Sequence, residues 1–298
     1  MTIPAWPKDE PVTDRPVAVF DSGLGGLSVV RELRRLLPHE TIVYFGDTAR
    51  VPYGTKSPET VARFAREILA FLMRLTPKCV VAACNTVSAV GLPGIAGSQS
   101  IPVIGVVRPG AEAAIEAVDQ VGGEMVAIIA TTATVASNAY QQALGRLNRQ
   151  VIAVQKACPL LVPLVEEGRD SDDALVTLAV AQYLEPLIRL QPDVLLMACT
   201  HYPLIRPAIA RCLGPKVTLV DSATATARKV ASVLTEQNAL STTQATGKLL
   251  CYVSDNPQRF QSLGTRFLGE PISSVVRVRP NEFESIQYEN APKRLAAG

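Results

Sequence analysis

Residues 194 to 204 read Val-Leu-Leu-Met-Ala-Cys-Thr-His-Tyr-Pro-Leu. Five apolar residues stop abruptly at a thiol, a hydroxyl and an imidazole, as in a strand buried on both faces that delivers polar groups at its carboxyl end. Residues 80 to 89, Val-Val-Ala-Ala-Cys-Asn-Thr-Val-Ser-Ala, have the same shape, with Cys84 in the place of Cys199. Two cysteines set alike in two halves of one chain are a chemical proposition. The remaining sequence can be read as the scaffold that brings them face to face.

Outward from these two strands, apolar runs alternate with helical periodicity. Pro16 to Phe20 is a short strand that leads into Asp21-Ser22-Gly23-Leu24-Gly25-Gly26 and then a helix with Leu27, Val30, Leu33 and Leu37 on one face. Thr41 to Phe45 is a second strand. After the turn at Pro52-Tyr53-Gly54, Ser57-Pro58-Glu59 supplies an N-cap, a first-turn proline and a first-turn acid to a helix reaching about Leu75. Cys79 to Ala83 is the third strand and Pro102 to Val107 a fourth, before a helix opened by Pro109. Met125 to Ala130 then ends in Thr131-Thr132, followed by a helix over 134–146, a strand over 150–156 and helical segments to Leu190. Val217 to Val220 ends in Asp221-Ser222, read as a plain N-cap for a helix to about Gln237; a strand at Leu249 to Val253, a helix at Pro257 to Leu268 and a strand at Val275 to Val278 complete the series.

Such alternation predicts an α/β protein of parallel sheets flanked by helices and joined by right-handed crossovers. The order also recurs: a strand ending in acid or hydroxyl (Asp21-Ser22, then Thr131-Thr132) precedes a strand ending in cysteine by about 63 to 68 residues. The expectation is two pseudo-symmetric lobes, each a mostly parallel sheet, with the active site in the cleft between them. Lobe A takes 16–106 and 222–279, lobe B 107–221; residues 1–15 form a flexible leader and 280–298 a polar tail. Ligands of such sheets sit at the carboxyl ends of the strands, where every polar cluster named above falls.

Composition narrows the function. The 298 residues carry 29 basic and 27 acidic side chains, a formal net charge of +2 without a basic block, so nucleic-acid binding has no support and a small, neutral ligand fits better. Apolar runs break well before the ~18 residues of a membrane span, and residues 1–15 lack the apolar core of a signal peptide; the expected location is the cytoplasm. Six cysteines without a Cys-x-x-Cys pair read as reduced thiols, with no structural zinc site. Cys79, Cys158, Cys212 and Cys251 read as small buried hydrophobes, and His39 as solvated surface.

The Gly23-Leu24-Gly25-Gly26 loop invites a dinucleotide-binding reading, with Asp47 as the ribose acid. It fails on detail: the fingerprint requires glycine where Ser28 stands, and Asp21 would repel a pyrophosphate. Glycines that let a strand turn tightly into a helix explain Gly25 and Gly26 but not Asp21. Cys84 and Cys199 differ from the other cysteines because each ends a strand at a helix N-terminus whose partial positive charge lowers a thiol pKa. His201, two residues from Cys199, suits proton handling. Tyr53 and the Gly54 amide lie between two segments of the site edge and suit ligand contacts.

Phe20-Asp21-Ser22-Gly23-Leu24-Gly25-Gly26-Leu27, Phe45-Gly46-Asp47 with Pro52-Tyr53-Gly54, Ala83-Cys84-Asn85-Thr86, the Cys158-Pro159-Leu160 to Glu166-Glu167-Gly168 segment and Ala198-Cys199-Thr200-His201-Tyr202-Pro203-Leu204 together resemble glutamate racemase. The resemblance runs from about Pro16 to about Arg279. It implies cofactor-independent interconversion of L- and D-glutamate, supply of the D-isomer for peptidoglycan, and a homodimer. It also implies Cys84 and Cys199 as the two acid/base thiols, with Asp21, Ser22, Tyr53, Gly54, Asn85, Thr86, Thr200 and His201 around the substrate; Thr132 is a further candidate lining residue. Arg108, where a glutamate is frequent, and Ala82-Ala83, where threonine is often seen before the cysteine, depart from the family pattern.

The chemistry agrees. Inverting a stereocentre by proton exchange calls for one base on each face of the α-carbon, and an unperturbed thiol titrates near ~8.5, so a thiolate and a thiol can coexist near neutrality. Asp21 beside Cys84 and His201 beside Cys199 are candidate auxiliary proton acceptors. Three alternatives stand beside this reading: aspartate racemisation, a hydrolase or amidotransferase with Cys199 as nucleophile and His201 as its base, and a two-lobed binding module without catalysis.

Overall fold

A computed structural model describes residue 7 and residues 9–283. Among the described residues the chain forms ten strands and ten α-helices. The strands are β1 (Val17–Asp21), β2 (Ile42–Gly46), β3 (Cys79–Ala82), β4 (Val103–Gly105), β5 (Met125–Ala130), β6 (Ile152–Ala157), β7 (Val194–Ala198), β8 (Thr218–Asp221), β9 (Leu249–Val253) and β10 (Val275–Arg277). The helices are α1 (Leu27–Leu36), α2 (Pro58–Met73), α3 (Val107–Val121), α4 (Thr132–Ala136), α5 (Ala139–Leu147), α6 (Leu161–Glu166), α7 (Ala174–Ile188), α8 (Arg206–Leu213), α9 (Ala223–Glu236) and α10 (Pro257–Leu268).

The strands form two parallel sheets, one ordered β10-β9-β2-β1-β3-β4 and the other β6-β5-β7-β8. Remove the two appended strands and the orders coincide, with β1 equivalent to β5 and β3 to β7. In the first sheet Phe20 pairs with Ala82 and Asp21 with Gly46; in the second Ala130 pairs with both Ala157 and Ala198. Cys84 and Cys199 therefore leave equivalent strands at the same edge, beside the ends of β1 and β5. Each central strand is apolar throughout because helices cover both faces: Val17 and Val19 join one apolar cluster, Ala18 and Phe20 another. The first cluster also takes in Leu195 and Met197 of β7, so it spans both sheets.

Local chemistry explains the element ends. Ser57 caps α2 by accepting the Thr60 N–H at 3.3 Å, with Pro58 in the first turn, as its sequence predicts. The helix expected over 134–146 is instead two: Asn138 takes a left-handed φ of 54°, and Ser137 Oγ accepts the Ala139 N–H at 3.2 Å, closing one helix and starting another in a new direction. The cap at the start of α9 is also divided differently. Asp221 Oδ1 accepts the Ala223 N–H at 3.0 Å, whereas Ser222 makes no capping bond.

The described part of 1–15 is tied down: Lys78, buried in an ion pair with Glu40 at 2.5 Å, donates to the carbonyls of Thr13 at 2.9 Å and Ala239 at 2.8 Å. At the other end, a single turn over Pro280–Glu282 delivers Phe283 into the apolar layer beside Phe45, so the packed body extends to 283. The expected polar tail from 284 to 298 and leader residues 1–6 and 8 lie outside the described residues. Among the described residues no helix is long and apolar enough to cross a membrane.

Candidate active site

The carboxyl edges of the two sheets enclose one cleft. The candidates Ser22, Tyr53, Gly54, Cys84, Asn85, Thr86, Thr132, Cys199, Thr200 and His201 line it together with Thr131, Glu166 and the apolar wall of Val51, Pro159 and Val162. Cys84 and Cys199 are 5% and 6% exposed, so both sulfurs are reached only through this space. Asp21 is the exception. It is fully buried behind the lining, its Oδ2 accepting the Gly23 N–H at 3.0 Å.

The two thiols sit in unlike surroundings. The Cys84 S–H is 3.6 Å from Ser22 Oγ. Burial, and next the negative charge of Asp21, push its pKa up to about 12, outweighing the Val87 N–H and the Ser22 hydroxyl. The expected lowering at a helix N-terminus is thus overridden at Cys84, which stays a thiol at neutral pH. Burial likewise raises the pKa of Asp21, against the nearby His201 and the N–H groups of Gly23 and Gly26.

On the other side, His201 Nδ1 lies 3.9 Å from Cys199 Sγ and 3.5 Å from Thr200 Oγ1, while Nε2 lies 3.0 Å from Glu166 Oε1. Burial works against the charged ring, but bonds to Cys199 and Glu166 and the negative charge beside it push its pKa up to about 10. His201 is therefore an imidazolium near neutrality, a donor at both nitrogens. Glu166 answers in kind: burial alone would raise its pKa, and the hydrogen bond and charge of His201 bring it below the ordinary carboxylate value.

Contacts between the edges of the two sheets complete the cleft. Gly54 offers its carbonyl to the Ala133 N–H at 2.9 Å, and Thr86 Oγ1 meets Thr131 Oγ1 at 2.9 Å. Gly25 lies so close to the opposite edge that a Cβ there would stand 2.1 Å from Thr200 Oγ1. Its φ is not positive, so space rather than turn geometry requires the glycine. Tyr53 contributes its ring and backbone only, because its hydroxyl donates to Asp47, which Arg50 and Ser254 also bind.

Glu166 belongs to a recognisable motif, yet no spacing rule assigns it to His201, 35 residues away. Arg108, one of the departures from the family pattern, is far from this chemistry, paired with Glu112 on the exposed start of α3 at 2.8 Å. The cleft can present a neutral thiol on one side and a sulfur beside an imidazolium on the other, with hydroxyl and amide donors between. That is equipment for moving protons at two faces of a small molecule.

Comparison with known proteins agrees with this class. The model of the Asp/Glu/hydantoin racemase family matches residues 26–230. A glutamate racemase of Geobacter metallireducens is 46% identical over 264 residues, 89% of this chain and 96% of its own. Among solved structures, glutamate racemase isoform RacE1 of Bacillus anthracis superposes with a TM-score of 0.84 at 38% identity, covering 89% of this chain and 98% of the other. Glutamate racemase of Francisella tularensis in complex with D-glutamate does so with a TM-score of 0.82 at 36% identity, with the same coverage. The chain belongs to the Asp/Glu/hydantoin racemase family.

Proposed function

We propose that this protein is a glutamate racemase, an isomerase that interconverts L- and D-glutamate with Cys84 and Cys199 as its two acid/base groups. The observation that carries the reading is the placement of two cysteines at equivalent strand ends of two like-ordered sheets, both opening on one cleft. With the α-carbon between the sulfurs, a Cys199 thiolate takes the α-proton from one face and the Cys84 thiol delivers its proton to the other. The products are the opposite enantiomer, a Cys199 thiol and a Cys84 thiolate. The reverse reaction exchanges these roles.

The His201 imidazolium, held by Glu166, is the counter-charge for the Cys199 thiolate. Asp21 acts on Cys84 from behind, holding its proton in place until the substrate carbanion demands it. Negative charge that develops on the substrate is met by the donors of Ser22, Thr86, Thr132 and Thr200, preorganised at the strand ends, while the Asn85 amide binds a carboxylate already present in the substrate. The proton transfers need only these side chains, without a cofactor or metal.

Residues 16–106 with 222–279 and residues 107–221 act in this reading as two lobes closing on the substrate. Family resemblance supports a homodimer and supply of D-glutamate to peptidoglycan, and the sequence composition supports work in the cytoplasm. Circular dichroism of L- and D-glutamate incubated with the protein alone tests the activity. Loss of optical rotation from both enantiomers is expected, with L-aspartate far slower; retention of rotation defeats the reading. Cys84→Ala and Cys199→Ala should each lower racemisation by at least ~10²–10⁴-fold, and full activity in either sinks the two-thiol mechanism.

A further inference from the structure

Tyr140, near the start of α5, is fully buried outside the cleft lining, and the proton transfers make no use of it. Its hydroxyl donates to Asn85 Oδ1 at 2.5 Å. Asn85 is 3% exposed and lines the cleft, and its Nδ2 has no protein partner. With the amide oxygen taken, the NH₂ group is the end left for a ligand. The opposite amide orientation would present an oxygen to an anionic substrate, which repels it.

Tyr140 and Asn85 form a buried hydrogen-bonded pair at the edge of the cleft. Space is reserved for it: a Cβ on Gly110 would stand 3.0 Å from Ser222 Cβ and 3.2 Å from the Tyr140 hydroxyl. The bond also crosses between the sheets, because Asn85 follows β3 of the first and Tyr140 lies on a helix of the second.

We propose that Tyr140 is a positioning residue for the racemase: its hydroxyl locks the Asn85 amide so that both N–H donors face a carboxylate of the bound amino acid. The assignment rests on the glutamate racemase reading and adds to it the group that orients one of its substrate donors.

A double-mutant cycle tests it. Tyr140→Phe keeps the ring and removes the O–H; it should raise KM for both enantiomers about tenfold with kcat little changed, since the lost contact serves substrate and transition state alike. In an Asn85→Ala background the same substitution should have no further effect. Gly110→Ala, which crowds the Tyr140 hydroxyl and leaves the tyrosine in place, gives a second arm if Tyr140→Phe does not fold: a KM rise of about threefold is expected, again silent without Asn85. A KM within twofold of wild type in the folded variants, or equal losses with and without Asn85, overturns the proposal. Wild-type protein inactive on both enantiomers defeats the reading of the reaction instead, whereas an active wild type with an additive cycle defeats only the role of Tyr140.

Discussion

At the residue scale the site is a study in opposed environments. His201 holds its proton because bonds to Cys199 and Glu166 outweigh burial, and Cys84 holds its own because burial and Asp21 outweigh nearby donors. The charged histidine has a consequence for stability. Its folded pKa, about 10, lies above the ordinary value of 6.5, so its contribution is fully present below about pH 6.5 and is lost as pH rises through about 10. Urea unfolding midpoints should fall across that window in the wild type, and His201→Gln should flatten the decline; an equal decline in the variant would show that the His201–Glu166 pair is not its source. Gly25 gives a second test. A methyl group there collides with Thr200 and the His201 ring, so Gly25→Ala should lower kcat/KM for glutamate by about tenfold or more, the usual order for overpacking. Unchanged kinetics would mean that the loop and the β7 edge do not meet so closely. In sequence the glycine looked like a turn residue, because what it approaches lies 175 positions further along the chain.

At the scale of elements, the strands were legible because burial on both faces removes polar residues from them altogether, and the polar groups therefore mark where each strand stops. Cys84 and Cys199 stand out for that reason. What escaped reading depends on contacts with no local signature: the break between α4 and α5 at Asn138, the Glu166–His201 pair, and the Tyr140–Asn85 bond across 55 residues. The break has a purpose in the architecture, since it redirects α5 and with it Tyr140. Away from the cleft, Lys78 at the entry to β3 ties the N-terminal segment, Glu40 and the end of α9 together. Lys78→Ala should cost about 3–5 kcal/mol in urea unfolding because it strands Glu40 as a buried charge, whereas Lys78→Met with Glu40→Leu should recover most of that loss. Stability unchanged by Lys78→Ala would show that water reaches Glu40.

For the whole molecule, the repeated strand order makes the chemistry possible. Two sheets of like order, turned so that their carboxyl edges meet, set one cysteine of each at the same cleft, and the pseudo-symmetry of the fold matches the symmetry of a reaction whose substrate and product are mirror images at one carbon. The alternation of strands and helices gave that architecture away. Net charge did not give away the ligand: near-neutrality favoured a neutral one, yet the cleft is lined by hydroxyls, an amide and an imidazolium that suit a carboxylate. Ligand charge is met locally, by a few groups whose signs vanish in a sum over 298 residues. The central claim, one acid/base group on each face, is tested most directly by following the α-proton during early turnover in D₂O. Product from either enantiomer should carry solvent deuterium at the α-carbon from the first turnovers, while remaining substrate keeps its proton. Product that retains the substrate's own proton would contradict the claim, because it means a single group serves both faces.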